Sequence, residues 1–98
     1  MDFKIVWTDP AIEALGGIVS DVAHDNASAA FELGSKLIDR MATAAQFPEA
    51  GPRYKAAAPL LVRCLTMDSY RLHYQVWRDR QTVEVLAVRH CAREQPNF

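Results

Sequence analysis

Residues 69–76, Ser-Tyr-Arg-Leu-His-Tyr-Gln-Val, alternate between apolar and polar. Tyr70, Leu72, Tyr74 and Val76 fall on one side, and Arg71, His73 and Gln75 on the other. Such a period-2 pattern, rich in aromatic and β-branched residues, reads as a half-buried strand. Apolar runs from Leu60 to Thr66 and from Thr82 to His90 flank it, across short gaps. Short gaps favour antiparallel neighbours, so the second half of the chain is predicted to be a three-stranded meander with residues 69–77 in its middle. Tyr70, Leu72 and Tyr74 are expected to face the core, with Arg71 and His73 on the opposite face. A one-residue slip would reverse all of these assignments.

The first half has a different period. Phe3 to Trp7 is a short β-rich run, stopped by Thr8-Asp9-Pro10. Asp9 is the expected cap of a helix starting at Pro10, where a missing N–H costs nothing. Ile12, Leu15, Val19 and Val22 then recur at helical spacing, interrupted by Gly16-Gly17, which weaken a helix by roughly 1 kcal/mol each. His24-Asp25-Asn26 breaks the pattern, and Asn26 is placed to cap a second helix from Ala27. Its apolar stripe is Ala30, Leu33, Leu37, Met41 and Ala44, and Pro48 ends it near Gln46.

Helix, short turn, helix is an αα-hairpin. Element order β-α-α-β-β-β predicts an α+β fold, the hairpin packed on one face of an antiparallel sheet. The expected core gathers Phe3 or Ile5, Leu15, Val19, Leu33, Leu37, Met41, Tyr70, Leu72, Tyr74, Val83 and Val85. Residues 47–59, with three prolines and Gly51, form a loop long enough to suggest function. Residues 91–98 lack periodicity and are expected to lie over the sheet or fray.

A chain of 98 residues suits a single domain, 1–98, large enough to fold without disulfides. Its two cysteines, Cys64 and Cys91, have no metal-ligand spacing, and a reduced, cytoplasmic setting is expected. The Met1-Asp2-Phe3-Lys4 start does not have the layout of a signal peptide, and no apolar run approaches a membrane span. Charge changes the picture more. Residues 1–50 hold three basic and eight acidic residues, a net −5, whereas residues 51–98 hold eight basic and four acidic, a net +4. That asymmetry points the second half towards an anionic partner.

Arg63, Arg71 and Arg89 lie on the three strands of the meander. If register puts them on one face, they form a cationic patch, with His73 and His90 beside it and Lys55 and Arg93 joining from the flanking loop and tail. Guanidinium groups offer fixed donors and permanent charge to phosphate or carboxylate oxygens. A plainly solvated sheet face has equal weight on these residues alone. His90, beside Arg89, is the best-placed histidine for proton transfer. No set of residues has metal-ligand spacing, no Gly-rich phosphate loop occurs, and no cofactor is expected.

Several stretches resemble the RelE/ParE superfamily of toxins from bacterial type II toxin–antitoxin systems. They are Trp7-Thr8-Asp9-Pro10-Ala11, Asp25-Asn26-Ala27-Ser28-Ala29-Ala30, Gln46-Phe47-Pro48-Glu49-Ala50-Gly51, residues 69–76, and Val83 to Arg93 with its His-x-x-Arg ending. The resemblance covers nearly the whole chain and implies the β-α-α-β-β-β fold. It also implies a growth inhibitor neutralised by a cognate antitoxin, as a homodimer or a toxin–antitoxin hetero-oligomer. RelE-like members cut mRNA on the ribosome without metal, which makes Arg63, Arg71, His90 and Arg93 the candidate catalytic residues. Lys55, Arg63, Arg71, His73 and Arg89 become the candidate partner-binding set. Arg71 matches the family's third-strand arginine, Arg63 matches a lysine position loosely, and Cys91 stands near a late arginine. No C-terminal tyrosine is present. ParE-like members instead poison DNA gyrase, and the Phe-Pro-Glu-x-Gly ending of the second helix looks closer to them. The resemblance therefore favours a ParE-like gyrase poison, with the mRNA endonuclease and a non-toxic binding relative as alternatives.

Overall fold

Thr8 is the joint between the first strand and the helical layer. The computed structural model describes residues 2–91, in which β1 (Lys4–Trp7) runs into α1 (Asp9–Ala23). The Thr8 hydroxyl accepts from the Ala11 N–H at 3.4 Å and donates to the Val85 carbonyl at 2.7 Å. The cap is therefore Thr8, not Asp9. Asp9 sits in the first turn instead, where a carboxylate complements the helix dipole. α2 (Ala27–Gln46) starts as its sequence indicates, with Asn26 Oδ1 accepting from the Ala29 N–H at 3.0 Å. The two helices lie close where Gly34 meets Val19: a Cβ added at Gly34 would sit 3.2 Å from Val19 Cγ2.

Three further strands follow: β2 (Val62–Met67), β3 (Tyr70–Trp77) and β4 (Thr82–His90). The sheet order is β1-β4-β3-β2, and the meander is antiparallel as expected. β1 differs. It pairs parallel with β4, Lys4 opposite Thr82 through Trp7 opposite Val85, so the sheet is mixed. The hairpin supplies the long crossover that parallel pairing requires. One irregularity has large consequences: His73 pairs with Ala87 but Tyr74 pairs with Val85, leaving Leu86 as an extra residue. This bulge switches the parity of β4, so that Val83, Val85, Val88 and His90 share the helix-facing side.

Leu37, Met41 and Ala44 of α2 close over Leu65, Leu72, Tyr74, Val83, Val85 and Val88, with Ala11 from α1. Phe3, Ile5, Leu15, Leu33 and Tyr70 pack half-buried around them. Each large buried side chain contributes about 1.5–3 kcal/mol. Val19 is half-buried, in contact with α2. Ile12 departs from the expected stripe: it is 53 % exposed, because α1 turns Ala11, Leu15 and Ile18 to the core.

Tyr74 is fully buried, yet its hydroxyl accepts from the Gly51 N–H at 2.9 Å and donates to the Pro48 carbonyl at 2.8 Å. These bonds tie the loop after α2 to the middle of β3. Tyr74→Phe is expected to lose about 2 kcal/mol in urea unfolding, since it orphans two backbone groups. An unchanged unfolding midpoint would show that the loop does not depend on that hydroxyl.

Residues 52–54 then run along the β2 edge. Tyr54 N–H donates to Val62 O at 2.8 Å, Cys64 N–H donates to Pro52 O at 3.0 Å, and Arg53 bridges Arg63. Further along that edge, Arg40 Nε donates to Thr66 O at 2.9 Å. The rest of β2 is thus partly blunted against strand addition.

Candidate functional site

The face of the sheet away from the helices carries alternate residues of each strand. On β3 these are Arg71, His73 and Gln75. Opposite Arg71 stand Thr66 on β2 and Arg89 on β4, and opposite His73 stand Cys64 and Ala87. Two arginines directly opposed across a strand pair are unfavourable by about 0.2–1 kcal/mol. Among the described residues, no carboxylate lies within ion-pair distance of either. Other cations have structural attachments. Arg78 pairs with Glu49, Arg80 lies 4.7 Å from the Trp77 ring centre, and Arg40 bonds the β2 edge.

Register separates the candidates that the sequence grouped together. Arg63 pairs with Tyr74, which places it on the helix-facing side, and its guanidinium donates to Gly51 O at 2.9 Å. It is thereby a loop anchor and not a member of the Arg71–Arg89 face. His90 also faces the helices: the β4 bulge reverses it, and it meets Tyr70 edge-on at 5.2 Å. With Tyr70, Val88 and the α1 residues Ala14, Gly17 and Asp21, it lines a cavity of about 360 Å³. The sequence expected it beside the cationic patch of Arg63, Arg71 and Arg89. Lys55 is exposed at the start of a single 3-10 turn, Lys55–Ala57. Arg93 lies outside the described residues, as does the expected path of the tail.

His73 is the largest departure. Alternation assigns it to a solvated face; it is 1 % exposed. The Tyr54 ring lies over it edge-on at 4.6 Å, brought there by the backbone bonds of residues 52–54 to β2. Sequence reasoning missed Tyr54, whose only signal is an aromatic residue inside a proline-rich loop. Burial, and then the positive charges of Arg71 and Arg89, lower the His73 pKa from 6.5 to about 4. Burial also pushes up the thiol of Cys64 and the phenols of Tyr54 and Tyr74. At neutral pH the face therefore presents two permanent cations, above a neutral imidazole and a protonated, poorly nucleophilic thiol.

That shift has a stability consequence. The unfolded chain takes up a proton near pH 6.5, while folded His73 resists it down to about 4. Stability is therefore complete above pH 6.5 and lost as pH falls towards 4. Between pH 7.5 and 5 the loss attributable to His73 is expected to be about 2 kcal/mol. Urea titrations of the parent and His73→Gln test this, the variant losing that part of the slope. Equal slopes would remove His73 as the source.

Among the described residues, no group of three or more His, Cys, Asp or Glu side chains comes together as a metal site. No helix among them is long and apolar enough to cross a membrane. The family model of the ParE toxin of the type II toxin–antitoxin system parDE matches residues 5–95. The chain belongs to that family. Its order of β1, helical hairpin and meander makes an α+β fold that matches solved toxin–antitoxin structures. Solved structures agree on the fold. The chromosomal ParDE toxin–antitoxin system of P. aeruginosa is similar at TM-score 0.74 and 18% identity, over 90% of this chain and 95% of that one. The RelBE2 toxin–antitoxin complex of Mycobacterium tuberculosis gives 0.71 and 16%, over 92% of each chain. A free, arginine-substituted mutant of the E. coli toxin RelE gives 0.59 and 19%, over 94% of this chain and 86% of that one. No curated protein matches the sequence.

Proposed function

We propose that this ParE-family toxin inhibits growth by poisoning DNA gyrase, and that a cognate antitoxin neutralises it. The observation that carries the choice of target is the chemistry around Arg71 and Arg89. Metal-independent cleavage of RNA needs cations on the phosphate and a group that takes a proton from the ribose 2′-hydroxyl near neutral pH. The cations are present. Of the two histidines nearest in sequence, His73 is buried with a pKa of about 4, and His90 faces the helices. Arginine is a poor base. Such a face suits anion binding better than proton transfer, and this favours a binding mode of toxicity.

The test is two assays on one purified sample: gyrase supercoiling with trapping of the cleavage complex, and ribosome-dependent mRNA cleavage. Gyrase inhibition with intact mRNA is the expected result. Efficient mRNA cleavage lost in Arg71→Ala, with gyrase unaffected, overturns the target and establishes the endonuclease reading. Activity in neither assay, with unimpaired growth on expression, makes the chain a non-toxic binding relative.

A further inference from the structure

Gly17 sits inside α1, where neither its conformation nor its surroundings call for glycine. No glycine of the chain has a positive φ. A Cβ added at Gly17 would meet nothing within 4 Å, whereas one at Gly34 would press on Val19 at 3.2 Å and one at Gly51 on the Cys64 carbonyl at 2.6 Å. A glycine inside a helix is destabilising relative to alanine, so the missing side chain has a cost. Gly16 is equally unconstrained, but only Gly17 of the two borders a cavity. That cavity, of about 360 Å³, lies between α1 and the ends of β3 and β4. Its size falls within the range of roughly 300–1,000 Å³ typical of small-molecule sites. What the absent side chain leaves open is the mouth of this cavity.

The lining has two characters. Ile18 and Val22 of α1 and Val88 of β4 give it apolar walls, and the rings of Tyr70 and His90, edge-on at 5.2 Å, give it an aromatic one. Two charged residues border it, and register separates them. Arg89 is turned to the other face of the sheet, opposite Arg71, so it borders the cavity along its backbone. Asp21 comes from α1, one turn beyond Gly17, and is exposed at the mouth. Among the described residues it is held in no ion pair. An apolar interior takes an apolar body, aromatic rings favour a cation beside it, and a carboxylate at the mouth attracts a positive charge and repels a negative one.

We propose that this cavity binds a small organic amine, its apolar body between α1 and the Tyr70–His90 rings and its ammonium on the Asp21 carboxylate. A small acid fits less well, because Asp21 is the charged side chain on this side of the sheet at the cavity and the Arg89 guanidinium is on the other. A neutral ligand of the same shape keeps the apolar contacts and loses the ion pair. Since Asp21 is exposed, the preference for the amine is moderate, about fivefold. The site is independent of the choice between gyrase and mRNA as target, because it uses neither the Arg71 nor the Arg89 side chain.

The test uses the full chain and three probes that share an indole ring: tryptamine, the neutral tryptophol and the acid indole-3-propionate. Binding is read by calorimetry, and its place by amide chemical shifts. Tryptamine is expected to bind with a Kd of about 100 μM, about fivefold tighter than tryptophol, with the acid weakest. The shifts should gather at residues 14–22 of α1 and 88–90 of β4. Asp21→Asn should bring tryptamine down to the level of tryptophol and leave tryptophol unchanged, an outcome that damage to the fold does not produce. Gly17→Leu should abolish binding of both with the thermal transition unchanged or raised, because its side chain enters open space and helix propensity improves. No tryptamine binding at about 10 mM, equal binding of the three probes, or full binding by Gly17→Leu overturns the site. So do shifts confined to the face of Arg71 and Arg89. Should Gly17→Leu fail to fold, the shift map of the parent chain and the Asp21→Asn comparison decide the matter.

Discussion

Gly51→Ala is expected to destabilise the fold by roughly 3 kcal/mol, lowering the melting temperature by about 15 °C in a chain of this size. A Cβ at Gly51 would lie 2.6 Å from the Cys64 carbonyl oxygen, 2.8 Å from its carbon and 3.0 Å from the Tyr74 hydroxyl. Two of those atoms are backbone of β2, which is fixed by its pairing with β3 and cannot swing aside like a side chain. Gly51 is also bonded on both sides, its N–H to Tyr74 and its carbonyl to Arg63. Moving it away loosens both bonds at once. The effect should spread along the chain: residues 52–54 hold Tyr54 over His73, so the variant should also lose part of its pH dependence. Calorimetry on the parent and variant checks the first claim, and urea titration at two pH values the second. A melting temperature within a degree or two of the parent would mean that the approach to Cys64 is not a packing constraint.

Removing either cation of the opposed pair should separate stability from activity. Arg71→Ala and Arg89→Ala are each expected to reduce gyrase inhibition tenfold or more, while raising stability by about 0.5 kcal/mol through relief of like-charge repulsion. Opposite signs are the informative feature. Fold damage lowers both quantities together, whereas loss of an anion-binding pair lowers only activity. The measurements are the supercoiling assay and the thermal transition on the same preparations. Full activity in both single variants and in the double variant would remove this face from the toxic mechanism. Arg63→Ala is a useful contrast, because its guanidinium anchors Gly51 on the other side of the sheet. That change should cost stability first.

Both predictions depend on positions whose roles were unevenly legible. The helix limits of α2, the Asn26 cap and the helix-facing positions of β3 follow from spacing and capping chemistry alone. These are local or strictly periodic signals, and the structure repeats them. Arg71 was legible for the same reason: it alternates with buried residues on the central strand. His73 alternates in the same way, yet it is buried. Alternation reports the face of the sheet and says nothing of what covers that face. The covering residue, Tyr54, lies 19 positions earlier in a loop without periodicity.

By itself the sequence determined the α+β class, the order of elements, the antiparallel meander and the hairpin, because each is written in local patterns of apolar spacing, caps and breakers; the family followed from the resemblance of its motifs. Only the tertiary structure decided which basic residues act together. Alternation from Val83 and Val85 carries Arg89 towards the core face and His90 outward. The extra residue at Leu86 reverses both, putting Arg89 opposite Arg71 and turning His90 to the helices. Arg63 fell on the far side because β2 pairs it with Tyr74. A sheet has a period of two, so a single inserted residue or a one-place shift of register exchanges its faces. The chain does not announce that insertion locally; it is fixed by pairing between strands and by the helices that must be covered on one side.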